Sequence, residues 1–130
     1  MYTLLLVGLG GFIGAILRYV LGGWIQNSFV NFPVGTLVIN ITGSFFLGLI
    51  MYLSEYQGWF SEETRIFLTI GIIGAFTTLS TFGYESFRLL DDSKLTLMAI
   101  NVVSTVLFSM LAVYLGKIVA LSVGTYLLGR

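Results

Sequence analysis

The chain has 130 residues, of which 57% are hydrophobic and only 9% are charged, against about 25% charged residues in soluble domains. Six basic and six acidic side chains balance each other, and a soluble fold of this size could not bury so much apolar surface. Cys and His are both absent, which excludes disulfides, thiolate chemistry and the commonest metal sites. The composition therefore predicts an all-α membrane protein. An enzyme is the least expected class, because no catalytic triad or phosphate loop can be assembled.

Four apolar segments follow one another, each near the ~20 residues that a membrane-spanning helix requires. They cover residues 3–22, 34–54, 65–87 and 95–116, within a single domain of residues 1–130, and short polar connections separate them. The first segment carries Arg18 and lacks a basic stretch before it, so we predict a retained helix and not a signal peptide. Residues 118–128 are apolar but too short to cross a membrane. We expect them to continue the fourth helix or to lie at the membrane interface.

The second segment contains one carboxamide side chain, Asn40, within the run GTLVINITGSF at 35–45. Polar side chains are expensive in hydrocarbon and usually face a bundle interior or a water-filled cavity. Asn40 is therefore expected to face protein and not lipid.

The third segment contains the run TTLST at 77–81, in which four of five side chains carry hydroxyl groups. Such hydroxyls compete with backbone hydrogen bonding and can interrupt a helix. Because apolar residues flank the run on both sides, we predict a broken helix near residues 75–81, close to the bilayer midplane. Irregular backbone at that depth persists only inside protein or beside a water-filled cavity. The run thus favours conduction or transport.

The fourth segment carries Asn101, Thr105 and Ser109 at intervals of four residues, which places them in one stripe along a helix. Each of them alone fits an interhelical hydrogen bond as well as a pathway. Three in register, beside a polar interruption, favour a pathway for a polar solute.

The basic residues show no bias between the two sides of the predicted bundle. One side has Arg65, Lys117 and Arg130, and the other has Arg18, Arg88 and Lys94. An asymmetry of basic residues normally sets topology, so a balanced chain can insert in both orientations. Two oppositely oriented copies can then pair as an antiparallel homodimer, which resembles the inverted repeats of transporters. Chance balance in one small protein remains the alternative.

Three stretches carry a family resemblance: GGFIGAILRY at 10–19, GTLVINITG at 35–43 and GIIGAFTTLSTF at 71–82. Together they resemble the signatures of the Fluc (CrcB) fluoride channel family. Each is weak alone, but three in this order and spacing are specific. The resemblance implies an antiparallel, dual-topology homodimer in the cell inner (plasma) membrane, surrounded by lipid, with two pores that export fluoride passively. No nucleic-acid partner is predicted.

The resemblance also implies a structural sodium ion at the dimer centre, held by the backbone carbonyls of Gly74 and Thr77. Oxygen ligands suit a hard cation. Arg18 would lie in a vestibule that draws anions in, although pairing with a carboxylate such as Glu85 fits it equally well.

The fluoride pathway predicted from the resemblance and the polar pattern comprises Asn40, Leu79, Ser80, Phe82, Asn101, Thr105 and Ser109. Amide and hydroxyl groups would replace the water around fluoride, and the positive edge of a phenyl ring can face an anion. One residue departs from the family pattern, because Leu79 stands where the family has a first Phe. Either Phe82 and the hydroxyls suffice, or the chain conducts poorly, is an altered variant, or takes the missing ring from a partner chain.

Two other functions compete with a fluoride channel. A small dual-topology, proton-coupled multidrug exporter would need a membrane-embedded carboxylate, and Glu85, near the end of the third segment, is the only acid inside a span. A structural subunit without any pathway would not explain a polar interruption at the midplane.

Overall fold

The computed structural model describes residues 1–128, with side chains described up to Tyr126. This part of the chain is helical apart from short connections, and it contains four helices long and apolar enough to cross a membrane. The prediction of an all-helical protein with four such helices is confirmed. Arg130, which entered the count of basic residues, lies outside the described residues.

Three of the four crossings are single continuous helices. They are α1 (Tyr2–Gln26), α2 (Val34–Gln57) and α6 (Leu95–Leu128). All three extend beyond the apolar segments recognised in the sequence. The residues after Lys117 continue the fourth helix, which was one of the two alternatives. At the end of α2, Gly58 adopts a φ of 64°, a left-handed conformation that glycine reaches without steric cost.

The third crossing, Glu62–Asp91, is assembled from several helical pieces. It starts with α3 (Glu62–Ile66), where the Ser61 side chain caps the first turn by accepting a hydrogen bond from the Thr64 N–H. A π-helical segment follows at Phe67–Ile73, and then the short α4 at Gly74–Phe76. Thr77 and Thr78 are extended, with ψ of 156° and 109°, before α5 begins at Leu79 and runs to Asp91.

Close contacts through glycine set the positions of the helices. Gly48 of α2 lies so near the backbone of α6 that a Cβ would be 2.6 Å from the Val113 carbonyl oxygen, and Gly116 faces the Phe45 carbonyl in the same way. On the other side, Gly10 of α1 meets Gly71 of the π-helical segment. Small residues allow such approaches where the hydrophobic effect no longer drives helices together.

The inside of the bundle is unusually polar, whereas its outside is apolar. Among the described residues, buried polar side chains occur at Asn40, Thr78, Ser86, Asn101 and Thr105, and many large apolar side chains are exposed. This is the distribution expected when lipid and not water surrounds the helices. It places the polar groups between α2, the third crossing and α6.

Candidate functional site

A cavity of about 300 Å³ lies where α2, the interruption of the third crossing and α6 meet. Five of the seven side chains predicted for the pathway line this central cavity: Asn40, Leu79, Phe82, Thr105 and Ser109. Ser44, Thr77 and Thr78 add further hydroxyl groups to its wall. The cavity therefore combines one carboxamide, several hydroxyls and one phenyl ring.

The Asn40 side chain binds both main-chain polar groups of Thr78. Its Nδ2 donates to the Thr78 carbonyl oxygen at 3.2 Å, and its Oδ1 accepts from the Thr78 N–H at 2.8 Å. Thr78 lies outside the flanking helices, so these groups have no helical partners, and buried backbone groups need partners. One N–H of the Asn40 amide remains, since a carboxamide carries two and only one has a partner in the described part of the chain.

Thr105 presents a buried hydroxyl to the same cavity. The residue is 8% exposed, and its Oγ1 finds no hydrogen-bond partner among the described residues. A buried polar atom without a partner is uncommon in folded proteins and calls for an explanation. A hydroxyl both donates and accepts, so Thr105 is available to water or an ion in the cavity.

Two predicted pathway residues lie elsewhere in the single chain. Asn101 is 1% exposed and donates from Nδ2 to the Ser86 hydroxyl at 3.0 Å, which is the interhelical role that the sequence left open. Ser80 is exposed, with its hydroxyl 3.3 Å from that of Thr78. Neither side chain lines the central cavity.

Arg18 lines a second cavity, of about 430 Å³, together with Glu85, Thr36 and Thr81. Thr36 donates from its hydroxyl to Glu85 Oε1 at 2.9 Å. Arg18 and Glu85 share this cavity without an ion pair, because the only ion pair within residues 1–128 joins Lys94 and Asp92. Thr78 lines both cavities, so the Arg18 cavity and the central cavity adjoin at the interruption.

The carbonyls of Gly74 and Thr77, predicted to hold a cation, lose their usual helical partners. In an uninterrupted helix the N–H groups four residues later would bind them. Those of Thr78 and Thr81 donate instead to Asn40 Oδ1 and to the Thr78 hydroxyl. Within the described residues there is no cluster of three or more His, Cys, Asp or Glu side chains. The oxygen donors beside the interruption are main-chain carbonyls and the hydroxyl groups of Thr77 and Thr78.

Sequence reasoning assigned no individual role to two residues that organise this region, although Thr78 belongs to the run at 77–81. Thr78 caps α5 by accepting from the Thr81 N–H at 3.2 Å, and the pair of hydroxyl residues three apart was a usable signal for that cap. Gln26 fixes the α1–α2 connection, donating to the Phe32 carbonyl at 3.0 Å and accepting from the Gly35 N–H at 2.9 Å. A glutamine at a helix end gives no comparable signal.

A known protein family matches most of this chain. The family model described as CrcB-like protein, Camphor Resistance (CrcB), matches residues 5–117. The chain belongs to the CrcB family. The match covers the first three crossings and most of α6, and it stops before the last part of that helix.

Several proteins with similar sequences are named as fluoride-specific ion channels. The chain is 85% identical over 129 residues to "Fluoride-specific ion channel FluC 3" of Methanosarcina barkeri, covering 99% of this chain and 98% of the relative. It is 74% identical over 129 residues to "Fluoride-specific ion channel FluC 1" of Methanosarcina acetivorans, with the same coverage. A Geobacter metallireducens relative, "Fluoride-specific ion channel FluC", is 43% identical over 122 residues, 92% of this chain and 98% of the relative. With its four apolar helices, the chain is a multi-pass membrane protein.

Proposed function

We propose that this chain is a fluoride-selective ion channel that lets fluoride leave the cell passively across the inner (plasma) membrane. The relatives named above are all fluoride-specific channels. The observation that carries the proposal for this chain is the central cavity, where a buried hydroxyl of Thr105 has no partner among residues 1–128. An anion that loses its water there needs such a donor.

The lining of the central cavity offers what a dehydrated anion needs. Asn40 has one N–H left, and Thr105 and Ser109 supply hydroxyl donors. The N-terminus of α5, which begins with the lining residue Leu79, adds the partial positive charge of a helix dipole. Phe82 contributes the positive edge of its ring. No carboxylate lines this cavity within the described chain.

Leu79 stands where the family pattern has an aromatic residue, so the chain has no aromatic ring at this position. Its side chain is 80% exposed in the single chain and borders the central cavity. In our proposal Phe82 and the hydroxyls suffice for conduction. The variant Leu79→Phe then raises the fluoride flux or leaves it unchanged, whereas Phe82→Leu reduces it.

The proposal includes an antiparallel homodimer with two pores. In one copy, Gly74, Leu79 and Ser80 are exposed on either side of the two extended residues, and an interrupted helix at the depth of the hydrocarbon needs protein or a water-filled cavity beside it. A second copy in the opposite orientation would cover it. The balance of basic residues permits both orientations.

A sodium ion at the dimer centre would occupy the same region. The carbonyls of Gly74 and Thr77 are hard oxygen donors without helical partners, which fits a hard cation. Two copies supply twice as many of these oxygens as one. We expect the purified protein to unfold at a lower temperature when sodium is replaced by a bulky organic cation. An unchanged unfolding temperature would count against the bound ion.

Fluoride efflux from liposomes that contain the purified chain tests the function directly, with chloride-loaded liposomes as the control. Rapid fluoride-selective loss is the expected result. If the liposomes instead accumulate a cationic drug in exchange for protons, and Glu85→Gln abolishes this uptake, the chain is an exporter.

Topology is tested separately with single cysteines at Asn27 and Ser93, which the homodimer places on both sides of the membrane. An impermeant thiol reagent added to one side should modify both positions to about half, and the other half should react after permeabilisation. Labelling of each position from one side only would contradict the antiparallel homodimer.

A further inference from the structure

Thr78 belongs to neither helix that flanks the interruption, but its main chain and its side chain are both hydrogen-bonded. It is extended, with φ of −150° and ψ of 109°, and only 7% exposed. Its main-chain N–H and carbonyl both bind the carboxamide of Asn40, a residue 38 positions away. One side chain of α2 therefore supplies both hydrogen bonds that the helical backbone cannot provide here.

Gly43, nearly one turn after Asn40, supplies the space for this contact. A Cβ at position 43 would collide with the methyl group of Thr77 and lie 3.2 Å from Phe76 Cδ1. Thr77 is β-branched and has little rotamer freedom with which to move away. Asn40 and Gly43 together fix the distance between α2 and the interruption, one through hydrogen bonds and the other through shape.

Thr78 occupies the boundary between the two cavities. It lines the Arg18 cavity on one side and the central cavity on the other. Its hydroxyl is held by the Thr81 N–H and donates to the Thr81 hydroxyl at 2.9 Å. Hydrogen bonds thus hold both its backbone and its side chain, and Thr78 forms a wall between the two cavities.

We infer that Asn40 is a positioning residue that acts through Thr78: its carboxamide holds the wall that separates the Arg18 cavity from the central cavity. Two of the four polar positions of the amide serve this task, because Oδ1 accepts from the Thr78 N–H and one N–H donates to the Thr78 carbonyl. The consequence for ion flow rests on the proposed channel function. The two hydrogen bonds between the Asn40 carboxamide and the Thr78 main chain, here called the clamp, do not depend on that function. They can be measured without transport.

Substitutions at position 40 separate the two halves of the clamp. Asn40→Asp keeps an oxygen that accepts from the Thr78 N–H, but it replaces the donor to the Thr78 carbonyl by a second acceptor. Asn40→Ala removes both bonds. Ser44→Ala is the matched control, because Ser44 lines the same cavity but its hydroxyl donates only to the Asn40 carbonyl within its own helix, at 2.7 Å.

Amide hydrogen exchange, followed residue by residue by NMR on the full chain in nanodiscs, tests the clamp. In the parent protein the Thr78 amide should exchange more slowly than those of Leu79 and Ser80, the first residues of α5, whose N–H groups precede any helical partner. Asn40→Ala should speed exchange at Thr78 by ~5-fold or more. Asn40→Asp and Ser44→Ala should leave the Thr78 amide protected.

Fluoride efflux measured on the same preparations separates this inference from the proposed function. Lower efflux in both Asn40 variants, with faster Thr78 exchange in Asn40→Ala alone, supports the positioning role. Lower efflux with unchanged Thr78 exchange in Asn40→Ala would overturn it and leave Asn40 as a direct ligand only. If Asn40→Ala does not fold, fast exchange of Thr78 in the parent still overturns the inference. A parent without efflux but with the expected exchange pattern would refute the channel and retain the clamp.

Discussion

The α2–α6 pair and the third crossing satisfy their backbone hydrogen bonds in opposite ways. α6 is one helix of 34 residues, packed on α2 so closely that glycines occupy the contact points. The third crossing covers 30 residues but changes from α-helix to π-helix, back to α-helix, and then to two extended residues. The regular pair satisfies its backbone internally, whereas the irregular crossing depends on side chains from elsewhere in the chain.

This difference shows where the fold tolerates backbone groups without helical partners. In α6 the polar side chains project from a complete helix, so only their hydroxyl groups are available to a solute. At the interruption the main-chain groups of Thr78 have no helical partners and bind the Asn40 side chain, and the Thr78 hydroxyl accepts from the Thr81 N–H. The regular pair thus acts as the support, and the irregular crossing presents the polar groups of the site.

The largest effect is expected from breaking the support. Gly116→Val would place a branched side chain against the Phe45 carbonyl and the Leu49 N–H of α2, and overpacking of this kind cannot be relieved by backbone atoms. We expect loss of the monodisperse folded protein in size-exclusion chromatography. Gly8→Ala is the control, since nothing in the described chain lies within 4 Å of a Cβ there. A well-folded Gly116→Val protein would show that the pair is not close-packed.

Removing the Thr105 hydroxyl should affect the site without affecting the support. Thr105→Val preserves the shape of the side chain and removes an oxygen that has no partner among the described residues. We expect fluoride efflux from liposomes to fall by about tenfold or more, as for a lost hydrogen bond to a charged group, with no loss of thermal stability. Thr105→Ser, which keeps the hydroxyl, should restore most of the efflux. Equal efflux in all three proteins would remove Thr105 from the pathway.

Asn101 should show the opposite behaviour, although it belongs to the same stripe on α6. Asn101→Leu removes the hydrogen bond to Ser86, and interhelical bonds of this type contribute about 0.6 kcal/mol in membranes. We expect a small decrease in the free energy of unfolding, measured by denaturant titration in detergent, with efflux near the parent rate. A large loss of efflux at unchanged stability would return Asn101 to the pathway.

A similarly small effect is expected at the far end of the regular pair. The Lys117 ammonium lies 5.0 Å from the centre of the Tyr52 ring, which stacks on Tyr56. Lys117→Met keeps much of the side-chain volume and removes the cation–π attraction, so we expect a loss of roughly 0.5–1 kcal/mol. Tyr52→Phe serves as the control because it retains the aromatic face. A larger change for Tyr52→Phe than for Lys117→Met would identify the hydroxyl as the important group.

The four membrane-length helices followed from the sequence because each of them is encoded by its own residues. Hydropathy alone located all four, and the structure shows them longer by several residues at most ends. The π-helical segment at Phe67–Ile73 was not predicted. It contains no proline and only one polar residue, Thr69, and its contact with the glycines of α1 is a tertiary feature.

The site was less predictable, because its contacts join residues that are far apart in the chain. Asn101 and Thr105 belong to the same polar stripe of α6. Only Asn101 has a hydrogen-bond partner among the described residues, the Ser86 hydroxyl on α5. The sequence identified Asn40 as a polar residue facing protein, but not that it binds the backbone of Thr78. A periodic pattern predicts which face of a helix is polar. It does not predict which group of another helix that face contacts.

The length of α6 has a consequence for the surrounding bilayer. At 1.5 Å per residue, a helix of 34 residues measures about 51 Å, compared with about 30 Å for the hydrocarbon layer. The excess lies beyond Lys117, in residues that carry no charge up to Tyr126 and that the family model does not cover. Such a helix must tilt, thicken the bilayer around it or bring apolar side chains to the level of the lipid headgroups, at a cost of fractions of a kcal/mol per Å. Lipids with longer acyl chains reduce this mismatch, so the chain is better suited to a thick membrane than its first three crossings alone would suggest.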